Sequence, residues 1–324
     1  STTTGTTCQT LANSNTSQSF AIPILSMDTG TYFERETNFG DKAYLSTIEP
    51  RLFYVYIPYT NQNSIPVFDS SSYDTTYYQL FRENWYTGYD RVSNANDVTA
   101  AVTTKFIDST NGLERFRATV GNRAYFSGQQ VTLGGTPTSY QSQGYSNIVA
   151  DFGSAITHDW SFYSGGQYNV SFASIQRAQI GLIYNNRKNQ ILNMAYRYRL
   201  DQTTGQICNT TAIDSGNSSC LNATDLSGRL PLFDNWYGIG RWQYSLLNNI
   251  TLESYFGIEK ETCCWRFAIL GRHYLNSIAS STSTTGSATN SVFLQLELKG
   301  FSVLGDQIDQ FLERSITGYR YSGY

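Results

Sequence analysis

No stretch of this 324-residue chain stays apolar over the roughly 20 residues that a membrane helix needs. A helical span is therefore excluded, whereas crossing by strands is not. Charge is balanced and sparse. The 22 basic and 25 acidic side chains leave a net charge of −3, so nothing in the balance attracts nucleic acid. There are only 2 histidines, and the 5 cysteines show no metal-ligand spacing; neither a metal nor another cofactor is expected. A secretory signal and an initiating methionine are both lacking, which reads as a processed or cut chain.

What the chain does have is aromatic residues: 25 tyrosines and 18 phenylalanines, against 6 prolines. They punctuate short segments of period two, separated by Ser/Thr/Asn/Gly loops, which is the pattern of an all-β protein. The clearest segment is Gln190 to Leu200. Leu192, Met194, Tyr196, Tyr198 and Leu200 line one side; Asn193, Ala195, Arg197 and Arg199 line the other. In LERFRATVGNRAYF, Phe116, Ala118 and Val120 oppose Arg115, Arg117, Thr119 and Arg123. A soluble sheet would simply wet its arginines. A transmembrane barrel puts the apolar set against lipid and the charged set in a wet lumen, with aromatic girdles at its rims. The aromatic excess and the uneven loop lengths favour the antiparallel transmembrane β-barrel. Arg115, Arg117, Arg123, Arg197, Arg199 and Arg266 are then its lumen-facing cations.

Barrel turns are short on the periplasmic side and long outside. Residues 60–96, 127–145, 201–234 and 275–290 read as long outer loops, with short turns at Asn38, Ser109, His158 and Asn186. The first of these loops is long enough to be functional or folded inward. Cys263 and Cys264 sit at the foot of the strand that starts at Trp265. Neighbouring cysteines rarely bond to each other, because a disulfide wants a wider Cα separation than one peptide step allows. They either reach two different partners or are two buried free thiols. Placing them at the periplasmic end makes the count of reversals fail unless ITLESYF and GIEKE are two strands. That split requires a surface loop missing from the sequence near Phe256 and Gly257. On this reading about 13 strands occupy residues 1–302, residues 303–324 form a C-terminal periplasmic tail, and the odd count suggests the C-terminal part of a larger barrel.

Five stretches, TIEPRLFYVYIPYTNQ, FRENWYTGYDRVSNANDVTAAVTTKF, LERFRATVGNRAYF, GIEKETCCWRFAILGRHYL and FLQLELKGFS, together with the paired cysteines, make the chain resemble the LptD (OstA) family. The resemblance implies a very large barrel in the bacterial outer membrane that passes lipopolysaccharide to the outer leaflet. It implies a plug lipoprotein (LptE) inside the barrel, and a periplasmic lipopolysaccharide bridge reached through an N-terminal domain that this sequence does not include. It further implies that Cys263 and Cys264 each bond to a cysteine of that N-terminal region. The last strand, with Leu294, Leu296, Leu298 and Gly300, would be one lip of a seam that opens sideways for lipid A.

Two other functions compete with this one. An outer-membrane hydrolase needs a positioned histidine. His158 lies in a short turn and His273 late in a strand, and neither has an obvious triad, so no catalytic residue is expected. A passive porin suits arginine-lined walls but gives the cysteine pair no role. Cys208 and Cys220 share one outer loop in an oxidising compartment and are expected to bond, which gives the loop roughly 2–4 kcal/mol of order. Cys8 is expected outside, across the membrane from Cys263 and Cys264, and so bonded to neither.

Overall fold

A computed structural model describes residues 20–40, 42–73, 76–133, 144–186, 190–200, 220–277, 287–299, 302–305 and 308–319. Its strands are β1 (Leu25–Gly30), β2 (Phe33–Phe39), β3 (Lys42–Ile57), β4 (Ala95–Asp108), β5 (Glu114–Tyr125), β6 (Ile148–Ala155), β7 (Trp160–Asn169), β8 (Ser174–Asn185) and β9 (Ile191–Arg199). They continue with β10 (Leu221–Phe233), β11 (Trp236–Ser245), β12 (Ile250–Glu261), β13 (Trp265–Ser277), β14 (Ser287–Leu298) and β15 (Ser302–Gly305), followed by one helix, α1 (Ile308–Ser315). From β3 onward each strand pairs antiparallel with its sequence neighbour, so the sheet is a plain meander. β1 and β2 both pair with β3, in one register: Gly30 opposes Arg51 and Phe33 opposes Ile48. They are one strand, interrupted where it passes Pro50, which has no N–H to give the ladder. Counted so, the described residues hold 14 strands.

The two faces are inverted relative to a soluble protein. Val102, Val120, Ile180, Met194, Phe256 and Val292 stand exposed on one face, each at least 43% accessible. Thr99, Arg123, Asn193, Ser227, Arg229, Glu259, Arg266 and Gln295 are buried on the other. A continuous apolar surface of this kind has no stable partner in water and does have one in lipid. On the apolar face Phe106, Phe116, Phe152 and Phe162 stack edge to face in a row, with ring centroids 5.5, 4.9 and 5.7 Å apart. Trp160–Tyr184 and Phe233–Trp236 extend this girdle at the same rim.

That rim holds the short turns, including the two-residue turn between β10 and β11, where Asn235 takes the left-handed conformation (φ 57°) that asparagine tolerates better than most residues. At the opposite rim β3, β5, β9 and β13 end and β4, β6, β10 and β14 begin, and two tight connections, 170–173 and 246–249, lie there as well.

The structure corrects the sequence reading in three places. Residues 221–233 are a strand, not loop, paired throughout with β9 and β11. With β10 present the reversals count correctly, and no lost loop is needed. Indeed β12 runs unbroken past the suspected reversal, with Phe256 opposite Gly271 and Gly257 opposite Leu270. Gly257 is there for close approach rather than for a turn: a Cβ on it would lie 2.6 Å from the Ile269 carbonyl oxygen. Finally, pairing does not stop at residue 302. Ser302–Gly305 pairs with Gln295–Leu298, and the expected tail continues as α1, packed on the polar face. The count therefore gains β10 and β15 and loses the split in β12.

Candidate functional site

The polar face is occupied in two places. The first is the connection between β3 and β4, which folds down onto the sheet. Its tip is a single 3-10 turn, Tyr78–Phe81, with Leu80 buried. Two strand side chains hold that turn. Thr99 Oγ1 donates to the Leu80 carbonyl at 2.7 Å. Arg123, 1% exposed, donates to the carbonyls of Leu80 and Arg82 and, through Nε, to Thr99 Oγ1 at 3.0 Å. Its charge is balanced by Asp97 at 3.7 Å and lies over the Trp85 ring. Gly121 leaves room for the tip, since a Cβ there would sit 3.1 Å from Leu80 Cδ1. Phe53, Val55 and Ile57, which face inward near this rim, close the packing together with Phe81 and Val92.

Away from the sheet the connection is held by polar caps. Asn94 Oδ1 accepts the N–H groups of Gln130 and Val131, and Asp90 accepts those of Phe68 and Asp69 at 2.7 and 2.8 Å. Those two backbone donors hold the Asp90 carboxyl below its usual range. The connection is thus folded inward, one of the two options its length allowed.

The second occupied place is the inner wall from β8 to β14. Ile308, Leu312, Ile316 and Tyr319 bury themselves on Ile191, Ile239, Tyr255, Ala268 and Leu270. At one end of this apolar seam sits a charged cluster. Glu259, wholly buried, accepts from Arg229 Nη2 at 2.6 Å and from Arg266 Nη2 at 2.6 Å. Arg266 also bonds Asp309 and the Tyr319 hydroxyl. Asp309 in turn accepts from Gln295 Nε2 at 2.6 Å, and Gln295 Oε1 accepts the Ile308 N–H at 2.8 Å. Glu261 joins the cluster through Arg229 at 3.3 Å and Lys299 at 2.8 Å. Beside it, Arg241 pairs with Asp225 and Glu253, and Arg272 pairs with Glu253.

Of the arginines read as lumen-facing, Arg117, Arg123, Arg197, Arg199 and Arg266 stand on this polar face, in step with the buried Thr119 on β5, Asn193 on β9 and Ala268 on β13, while Arg115 is the extra residue of a bulge opposite Phe106 and Ile107. They do not form one site. Arg115 pairs with Asp108 at 3.3 Å and Arg117 with Glu114 at 2.8 Å, near the short-turn rim. Arg123 holds the folded-in connection, Arg266 holds α1, and Arg197 stands exposed. The sequence reading missed Arg229, Asp309 and Tyr319, which lay in stretches taken for loop and tail. Alternation of Asp225, Ser227 and Arg229 with Leu226, Leu230 and Leu232 was the signal for the first of them.

Leu294 and Leu298 are exposed on the apolar face and Leu296 is half-buried there. β14 is not the final strand; β15 covers Gln295–Leu298, while Ala288–Phe293 has no ladder on that edge among the described strands. Cys263 and Cys264 are free and exposed in the turn between β12 and β13, so the alternative of two buried thiols falls away. The neighbouring Cys263 thiol pushes the Cys264 thiol up. Cys220 is disulfide-bonded. Cys8, Cys208 and Gly300 lie outside the described residues. His273 Nδ1 meets Asn290 Oδ1 at 2.7 Å, and His158 lies in the turn after β6.

An antiparallel meander that is apolar outside, charged inside, belted with aromatics at one rim and looped at the other is the wall of an outer-membrane β-barrel. The comparisons narrow the class. The sequence profile of the family described as LptD, LPS transport system D, matches residues 1–236. The LPS-assembly protein LptD of Methylococcus capsulatus is 40% identical over 328 residues, covering 95% of this chain and 32% of that protein. Those of Nitrosococcus oceani and Chromobacterium violaceum are 34% and 36% identical, over 92% and 93% of this chain and 37% and 36% of their own lengths. The chain belongs to the LptD family, and it spans about a third of the length of these relatives. Among solved structures the copper transporter OprC is similar at a TM-score of 0.30 and 12% identity, over 85% of this chain and 49% of its own, too distant to add anything.

Proposed function

We propose that this chain forms part of the wall of a barrel that transports lipopolysaccharide and assembles it into the outer leaflet of the outer membrane. Membership of the LptD family carries the reading. On it the polar face is the lumen, the apolar face meets lipid, and the work is passage of an amphipathic lipid rather than catalysis. A lumen lined by arginine and glutamate suits phosphorylated sugar, while acyl chains need a way out through the wall. The edge of β14 is that way. Leu294, Leu296 and Leu298 hold the strand in the bilayer while its outer edge, paired to β15 over Gln295–Leu298, parts from the neighbouring strand of the complete barrel. Opening stays partial, since each backbone group left bare in hydrocarbon costs several kcal/mol. A plug lipoprotein of the LptE type fills the rest of the lumen. The periplasmic bridge delivers through an N-terminal domain, to which Cys263 and Cys264 bond. Cys208 is the partner of Cys220.

A passive porin would leave its lumen clear, whereas here the β3–β4 connection and α1 both lie on the inner face. The test is photocrosslinking in cells that depend on the full-length protein. A benzophenone amino acid replaces Thr119 on the inner face or Ile180 on the outer face. Lipopolysaccharide adducts at Thr119 that vanish when export is halted are expected. Adducts at Ile180 alone would rule out passage through this lumen.

A further inference from the structure

The C-terminal residues 308–319 form a strap. They run backward across the sheet, from Gln295 on β14 over Arg266 on β13, Glu259 on β12 and Ile239 on β11 to Asn193 on β9, whose Nδ2 donates to the Thr317 carbonyl at 2.9 Å. Sequential hairpins alone tie each strand only to its neighbours. This strap ties β14 to strands far behind it, from the inside.

We propose that Asp309 is a positioning residue that clamps β14 to β13, and that the strap must lift before the edge of β14 can part from its outer neighbour. Three observations carry this. Asp309 bonds Arg266 on β13 with one carboxylate oxygen and Gln295 on β14 with the other. Gln295, 3% exposed, spends both ends of its amide on α1, and so reports whether α1 is docked. The chain from Gly305 to Ile308 reaches at most about 11 Å, so β15 cannot swing away from β14 without drawing on α1. The clamp therefore sits directly behind Gln295–Leu298, the stretch of β14 that β15 covers among the described residues. The gating half of this proposal rests on the lateral-exit reading above; the clamp itself does not.

The test is hydrogen exchange read by mass spectrometry on the full-length protein in lipid nanodiscs. In Asp309→Asn the amides of Gln295–Leu298 exchange about ten- to a hundredfold faster, the effect of losing a charged, buried hydrogen bond. β3–β5, which the strap does not touch, exchange as before. Asp309→Glu, which keeps the carboxylate, restores most of the protection. If Asp309→Asn does not fold, Leu312→Ala loosens α1 without touching the charged cluster and carries the same comparison. Release of α1's own amides with β14 still protected would overturn the clamp. Loosening of β14 upholds it whichever route the lipid takes, because the exit route is read separately, by export through a crosslinked seam.

Discussion

Glu259→Gln is the perturbation that reads the inner cluster most cleanly. The side chain is wholly buried, so the shape is kept and only the charge is removed. In the native protein its two oxygens each accept one guanidinium at 2.6 Å. The amide keeps one acceptor and turns an N–H group toward the other arginine. Removing one member of a buried ion cluster costs about 3–5 kcal/mol, chiefly because charge stays behind uncompensated. Both arginines keep other carboxylates, Glu261 for Arg229 and Asp309 for Arg266, so the low end, about 3 kcal/mol, is expected. Equilibrium urea unfolding in lipid vesicles, followed by tryptophan fluorescence, measures it. Trp265 lies next to Arg266 in the chain and Trp236 at the start of β11. Because Glu259 and Asp309 share Arg266, the double variant with Asp309→Asn must be non-additive. A loss below about 1 kcal/mol, or simple additivity, would mean that lumen water screens the cluster and that it does not hold the wall.

Gly257→Ala pushes β12 and β13 apart at the Ile269 carbonyl and costs about 1–3 kcal/mol in the same assay; a neutral result would contradict the close approach. Asp90 acts in the folded-in connection: its carboxyl is lowered in the folded state, so its support is complete above the unfolded value of 3.8 and fades as pH falls below it. Limited proteolysis of the 58–94 connection should therefore be unchanged from pH 7 to 5, whereas Asp90→Asn should expose it at pH 7. A non-reducing peptide map should join Cys208 to Cys220, and Cys8 to neither Cys263 nor Cys264; a Cys8–Cys263 peptide would undo the assignment of the two rims.

Most of the wall was legible in the sequence, because period two is unambiguous wherever lipid demands one unbroken apolar face. β5 and β9 fold within a residue or two of where alternation put them, and Arg117, Arg123, Arg197 and Arg199 share the polar face. β10 carries the same alternation only in broken form. Gly228 and Pro231 interrupt it, and both are strand-breaking types, tolerated here by a bulge near Pro231 and close packing at Gly228. Missing that one strand inverted the parity of everything after it and created a false reversal at Gly257. The strap was hidden for another reason. An eight-residue helix has little intrinsic stability; it forms because the inner wall offers Ile191, Ile239 and Leu270 as a surface, and no local signal reveals that surface.

The exit of lipid past β14 is tested most directly by closing it. A cysteine at Val292, on the edge of β14, is paired with one on the first strand of the full-length barrel, and newly exported lipopolysaccharide is labelled at the cell surface with and without reductant. With the crosslink complete, export should stop while the barrel stays folded, and reductant should restore it. Undiminished surface labelling with the crosslink fully formed would contradict the lateral exit and leave the lumen as the route.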